Sequence, residues 1–313
     1  MSAVDSLAAA RRDRVLAAMR DRGIDALILG RQDDTNYAAG MRRLWTAGTR
    51  PFGAGCVVVA STGRTHVLSS WDAGLPPTMT FDDLYPLTWN PAHMGEAMTR
   101  IEGLGEATRI GVDEVSPSFA RAAARFAPHA AVVPADDLMA EVRRTKLPAE
   151  IDRIRAACAV AWVGIDAALD DPDAAAAEGV AIAAMAAAGT TVPSSEPVVR
   201  RDGDATVIDL GVLLDGYEGG VGGSFVRGAR GETPALVDAC RVGVTGADLA
   251  TAAKGRWRVR GLGMGYERPV IDAELGRAET LTAGMVLSVS DGDHRDVVAV
   301  TDDGPEVLST RPS

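Results

Sequence analysis

Cysteine is scarce in this sequence, no apolar run approaches the roughly 20 residues of a membrane span, and basic charge is in deficit. The three cysteines, Cys56, Cys158 and Cys240, are far apart, odd in number and form no Cys-x-x-Cys pair. That argues against a disulfide framework, a zinc knuckle or a dithiol redox centre, and leaves them as small buried hydrophobes. The first residues run into Arg11, Arg12 and Arg14 without a secretory signal's apolar stretch, so a cytoplasmic protein without membrane contact is expected. Net charge is -11: residues 1–147 carry 17 basic and 17 acidic side chains, and 148–313 carry 15 and 26. A chain without clustered Lys and Arg cannot release phosphate counterions efficiently, so nucleic acid is not an expected partner.

What is present is enough apolar residue, 47% of 313, for two ordinary cores. Leu7, Val15, Leu16 and Met19 predict an opening helix over 7–22, closed by Gly23. Strands are predicted at Asp25–Gly30, Ala54–Ala60, Thr65–Ser69 and Ala130–Pro134, with helices at 93–104 and 117–126, which gives an α/β domain over 1–147. Pro148 marks a junction because proline is tolerated in the first turn of a helix. Beyond it Ile151, Ile154, Cys158, Ala161, Trp162, Ile165 and Leu169 share one helical face, and an Ala-rich helix over 174–188 stops at Gly189. The remainder, with strands predicted at 206–210, 257–259, 285–289 and 297–300, makes 148–313 an α+β domain.

Several fragments, in order along nearly the whole chain, carry a resemblance. They are Asn36-Tyr-Ala-Ala-Gly40, the Arg-Arg-Thr-Lys-Leu-Pro-Ala-Glu150 junction, Val207-Ile-Asp-Leu-Gly-Val-Leu-Leu-Asp-Gly-Tyr217, Gly261-Leu-Gly-Met-Gly265, Leu281-Thr-Ala-Gly-Met-Val-Leu-Ser-Val289 and Val297-Val-Ala-Val-Thr-Asp-Asp-Gly304. Together they resemble the creatinase, aminopeptidase P and prolidase family. The resemblance implies an α/β N-terminal domain, a shortened α+β pita-bread C-terminal domain and a homodimer. It also implies a divalent metal pair held by two aspartates, a histidine and two glutamates, the hard and borderline donors of hydrolytic sites. Asp209 matches the first aspartate. The second aspartate position holds Gly220, the histidine position Leu262, the first glutamate position Ser290, and the last falls on Arg295 beside Asp296. His294 is the single histidine of the second half, so no shift of one residue restores the set. A degenerate member of the family, without metal or other cofactor, is therefore expected.

The candidate catalytic residues are Asp209, His294 and Glu267; Tyr217, Glu218, Tyr266, Arg268, Ser290, Asp291 and Arg295 are candidate substrate contacts, with Ser224 nearby. Asp209 reads as a general base, as the ion-pair partner of Arg295, or as a cap on the Gly211 turn. His294 offers proton transfer near neutrality or lies solvated in a loop. Glu267 and Arg268 clamp an ammonium and a carboxylate or form a surface salt bridge. Arg256, Arg258 and Arg260 alternate along a strand, making an anion site or a solvated face. The glycines at 219, 220, 222 and 223 lack the Lys-Ser/Thr of a phosphate loop and read as a hairpin, either lid or packed corner. Tyr37, His93, Trp45, Trp71 and Trp89 read as packing residues of the first domain. Three functions stay open: a metal-independent acid/base enzyme on a small amino-acid-derived, amide or guanidino substrate; a catalytically silent homologue that binds a ligand or partner; and an unusual metallo-aminopeptidase.

Overall fold

The computed structural model describes residues 3–40, 55–68, 79–85, 91–113, 123–171 and 176–312. Trp45, Trp71, Trp89 and the first part of the helix predicted at 117–126 lie outside the described residues. The chain forms two compact units, Met1–Val142 and Arg143–Ser313. This division precedes Pro148 because Arg143, Arg144 and Lys146 already bond into the second unit, to Glu267, Glu279 and the Gly284 carbonyl.

The first unit opens with helix α1 (Ala3–Asp21), whose Leu7, Val15 and Met19 are buried and which Gly23 closes at φ +61°. Then follow β1 (Ala26–Leu29), α2 (Gln32–Ala39), β2 (Cys56–Val59), β3 (Arg64–Val67), α3 (Pro91–Met98), β4 (Arg109–Val112), β5 (Ala131–Pro134) and α4 (Asp136–Arg144). The segment ending in Gly40 is the last turn of α2, and Gly40 ends it in the left-handed conformation at φ 67°. The sheet order is β3-β2-β1-β4-β5, with β1 antiparallel to β2 and parallel to β4. Every residue of β1 and β2 is buried, which is why both read as continuous apolar runs. Ile28, Val57, Met94, Met98, Leu104, Ile110 and Phe126 form the core.

Asp113, just past β4, accepts the N–H groups of Gly30 (2.6 Å) and Arg31 (2.9 Å) and so ties the ends of two parallel strands together. Burial raises its pKa to about 7; the neighbouring Asp34 charge adds to the rise and the two N–H bonds oppose it.

The second unit contains α5 (Pro148–Asp170), α6 (Ala177–Ala187), β6 (Val198–Asp202), β7 (Ala205–Leu214), β8 (Tyr217–Val226), β9 (Ala229–Arg230), α7 (Ala235–Asp238), α8 (Gly246–Ala252), β10 (Trp257–Gly263), β11 (Gly265–Asp272), β12 (Val286–Asp291), β13 (His294–Thr301) and β14 (Gly304–Val307). Its curled sheet runs β11-β10-β12-β13-β8-β7-β6, with β14 on β13 and β9 on β8. Alternation decides which side chains meet helices. Ile208, Leu210, Val221 and Phe225 pack with α5 and α6, and Val259, Leu287, Val289 and Val298 pack with Leu236 of α7 and Leu249 of α8. The intervening residues line the opposite, inner face.

The expected glycine hairpin is instead the interior of β8, and the turn is Asp215-Gly216, both at positive φ. The reason is clearance. A Cβ on Gly219 would stand 2.4 Å from the Cys158 backbone nitrogen, so α5 lies directly on β8 only because that side chain is missing.

Two outcomes follow from this packing. Asp113 binds its proton more tightly in the fold than in the unfolded chain. Its contribution is complete below the ordinary carboxylate pKa and is lost as pH rises through about 7. Denaturant melts should therefore weaken by on the order of a few kcal/mol between pH 5 and pH 9 in the wild type, and Asp113→Asn should flatten that decline. Gly219→Ala should cost about 2–4 kcal/mol in the same melts, since backbone cannot yield as a side-chain tip can.

Candidate functional site

The two halves of the second-unit sheet meet where β8 passes β13, and they share one register pair, Gly222 opposite Arg295. Asp209 stands opposite Gly222 on β7, and Ser290 of β12 and Arg258 of β10 continue the row on the other side. All of these face away from the helices. The Nε of Arg295 donates to Oδ1 of Asp209 at 2.7 Å, and its Nη2 donates to the same oxygen. The guanidinium lies flat over glycine: a Cβ on Gly220 would be 2.4 Å from its Nη1, and one on Gly211 would be 3.1 Å from its Nη2. The arginine is nearly covered, whereas the Asp209 side chain is 40% exposed. Four of the positions that the sequence identifies with metal ligands, Asp209, Gly220, Ser290 and Arg295, thus converge on one patch.

Beside this pair the inner face carries a second one. Arg260 binds Glu218 through both nitrogens, at 3.0 and 2.5 Å, a two-pronged geometry that fixes both groups. The ring of Tyr266, 54% exposed, lies 4.7 Å from the Arg260 guanidinium. Arg258 is paired with Asp272 near the edge. Ser194 is held to the Gly211 carbonyl through its N–H (3.0 Å), and its hydroxyl is covered without a hydrogen-bond partner among the described residues.

The other candidates lie elsewhere. Glu267 is buried between Lys146 (2.6 Å) and Arg143 (2.8 Å) and also accepts the Met264 N–H. Burial alone would raise its pKa, but the two cations outweigh that and hold it at about 2. It locks the junction to the β10–β11 turn and is no titrating base. His294 is not a loop residue but the first of β13, and it faces the helix side with its Nε2 2.5 Å from Asp296. Tyr217 also faces the helices, donating to Glu150 on α5 at 2.9 Å. Asp291 pairs in register with His294 and accepts the Lys254 N–H (3.2 Å). Arg268 is exposed on β11. Asp209, His294 and Glu267, grouped as an acid/base set from the sequence, therefore belong to three separate networks. A strand's two-residue alternation sends adjacent Arg295 and Asp296 to opposite faces, which motif spacing alone did not resolve.

Behind the row stands Arg230, which the sequence reading missed. It donates to the Gly222 carbonyl (2.6 Å), the Arg295 carbonyl (2.9 Å) and the Asp296 carboxylate (2.9 Å), bridging β8 and β13 from the helix side. Asp296 is fully buried and also accepts from Ser309 (2.6 Å). Burial would raise its pKa, but the His294 bond, the Arg230 charge and the Ser309 hydroxyl together lower it. Nothing in a two-residue strand signals this role for Arg230. Cys158, below Gly220, is pushed up to about 12 by burial and is an inert thiol.

Among the described residues, no group of three or more His, Cys, Asp or Glu side chains is arranged to hold a metal ion. Residues 11–145 match the family model of the Creatinase/Prolidase N-terminal domain. The chain has the fold of solved prolidases, an α/β first unit followed by a pita-bread second unit. It is similar to the prolidase from Pyrococcus horikoshii OT3 at 16% identity, TM-score 0.74, covering 96% of this chain and 98% of that one. It is similar to an Xaa-Pro dipeptidase from Bacillus anthracis at 18% identity, TM-score 0.70, covering 98% of both. Against dipeptidase PepE from Mycobacterium ulcerans identity is 21% and TM-score 0.67, over 98% of this chain and 97% of that one. No curated protein matches by sequence.

The junction triad predicts a test of role. Glu267→Gln leaves Lys146 and Arg143 buried against a neutral amide and should cost about 3–5 kcal/mol in denaturant melts. Because the native pKa of Glu267 is depressed, the stability at stake is present above the ordinary carboxylate range and is lost as pH falls toward about 2.

Proposed function

We propose that this chain is a metal-independent, non-hydrolytic pita-bread protein whose inner face binds a small amino-acid-derived ligand. The observation that carries the proposal is the Arg295 guanidinium lying on Gly220 with Asp209 as its counter-ion. A divalent pair needs several carboxylates converging on open space. Here the matching positions supply one carboxylate, one oxygen of which already takes two N–H bonds, and a cation stands where the second aspartate would reach. That donor set does not fit a divalent cation.

Acid/base catalysis is the less supported reading for the same reason. A general base needs a free oxygen turned to its substrate, and one oxygen of Asp209 already accepts two N–H groups of Arg295 while Glu267 and His294 lie in other networks. Binding is better served. The second carboxylate oxygen of Asp209 and the face of Tyr266 suit a ligand with an ammonium group and a short apolar or planar body. The peptidase reading is carried by one observation of its own, the near end-to-end likeness to prolidases and Xaa-Pro dipeptidases.

Elemental analysis of the purified chain, a thermal-shift scan with manganese, cobalt and zinc, and an Xaa-Pro dipeptide cleavage assay with each metal separate the two. We expect metal far below stoichiometric, no stabilisation and no cleavage. Near-stoichiometric metal, or cleavage that depends on an added ion, would restore the hydrolase reading and sink this one.

A further inference from the structure

On the helix side of the second unit, behind the Gly222–Arg295 row, lies a cavity of about 410 Å3 that the inner-face reading does not use. Its apolar wall is Trp162 of α5, buried and set edge-on to Phe225 of β8 at 6.1 Å. Trp162 cannot swing away, because its Nε1 donates to the Ser309 carbonyl at 2.7 Å. Two guanidinium groups flank that ring, Arg230 at 5.9 Å and Arg311 at 5.8 Å from its centroid. The hydroxyl-bearing Thr233 and Thr310 complete the polar lining.

The two arginines differ in what they can offer. Arg230 is committed to Asp296 and to two strand carbonyls, so its charge is answered inside the protein. Arg311 is 57% exposed and, among the described residues, shares one carboxylate contact, with half-exposed Asp166 at 2.9 Å, an ion pair of the kind worth little in water. Arg230, Arg311 and Asp296 are the charged residues lining the cavity, and Asp166, outside the lining, answers the charge of Arg311 until a ligand displaces it. An apolar wall of two perpendicular rings beside one exchangeable guanidinium favours a ring-bearing monoanion.

We propose that this cavity is a second ligand site, separate from the inner face, that takes a single-ring aromatic carboxylate: the ring against Trp162 and Phe225, the carboxylate on Arg311 in exchange for Asp166. Calorimetric titration of the full chain tests it, with phenylacetate as probe, phenylacetamide as neutral isostere and acetate as ringless anion. Saturable binding of phenylacetate is expected, at least roughly tenfold tighter than either control. Arg311→Gln, at the exposed rim, should weaken it by about the same factor. Thr233→Trp, which adds bulk to the cavity lining, should abolish it, and a folded melt of either variant makes its loss of binding informative. Arg258→Gln, on the inner face, should leave it unchanged. No saturation by about 10 mM, equal binding of the amide, or loss in Arg258→Gln with retention in Arg311→Gln would each overturn the proposal.

Discussion

The second unit depends on how two halves of a sheet are joined where their strands share a single register pair. One ladder pair is weak on its own, so the Gly222–Arg295 crossing needs reinforcement from side chains. It receives that from both faces: Arg295 reaches forward across β8 to Asp209, and Arg230 bonds both main-chain carbonyls from behind. Guanidinium suits the task because its donors diverge in one plane and can serve two strands at once. The glycines of β8 follow from the same constraint, since Gly220 and Gly222 leave room for the Arg295 side chain while Gly219 admits α5.

Charge burial here obeys a simple rule. Glu267, with two cations, and Asp296, with one cation, a hydroxyl and an imidazole, are both buried, and each fills its acceptor positions. Asp209 has a single side-chain partner among the described residues and keeps part of its surface in water. A carboxylate with a lone partner in dry surroundings would be a liability, so its exposure is what allows it to persist on the inner face.

Much of the architecture was legible from sequence because it rests on local periodicity. The apolar stripe from Ile154 to Ile165 places α5, and the fully buried runs at Ala26–Leu29 and Cys56–Val59 give the central strands of the first unit. The convergence of Asp209, Gly220, Ser290 and Arg295 was legible too, through motif order. What escaped depends on neighbours distant in sequence. Glycines at 219–223 look like a turn unless one knows that a helix and an arginine press on them. Glu267 looks like a surface acid unless Lys146, over a hundred residues earlier, is seen beside it. His294 looked like a companion of Arg295 because the two are adjacent, yet adjacency in a strand is what separates them.

The exchange at the inner face can be followed as electrostatics. In the resembled site four carboxylates and an imidazole offset two divalent cations. Removing the cations without removing carboxylates would leave mutually repelling acids in a partly dry space, which raises their pKa values and costs stability. On the proposed reading Gly220 and Ser290 stand where the resemblance places two acids and Arg295 where it places a third, and Asp209 pairs with Arg295. The guanidinium also fills, as flat volume, the space beside Gly220 and Gly211 where no side chain stands, so one residue serves both packing and charge. On that reading an aspartate introduced at Gly220 would not complete a metal site: it would meet Arg295 first and become its second counter-ion.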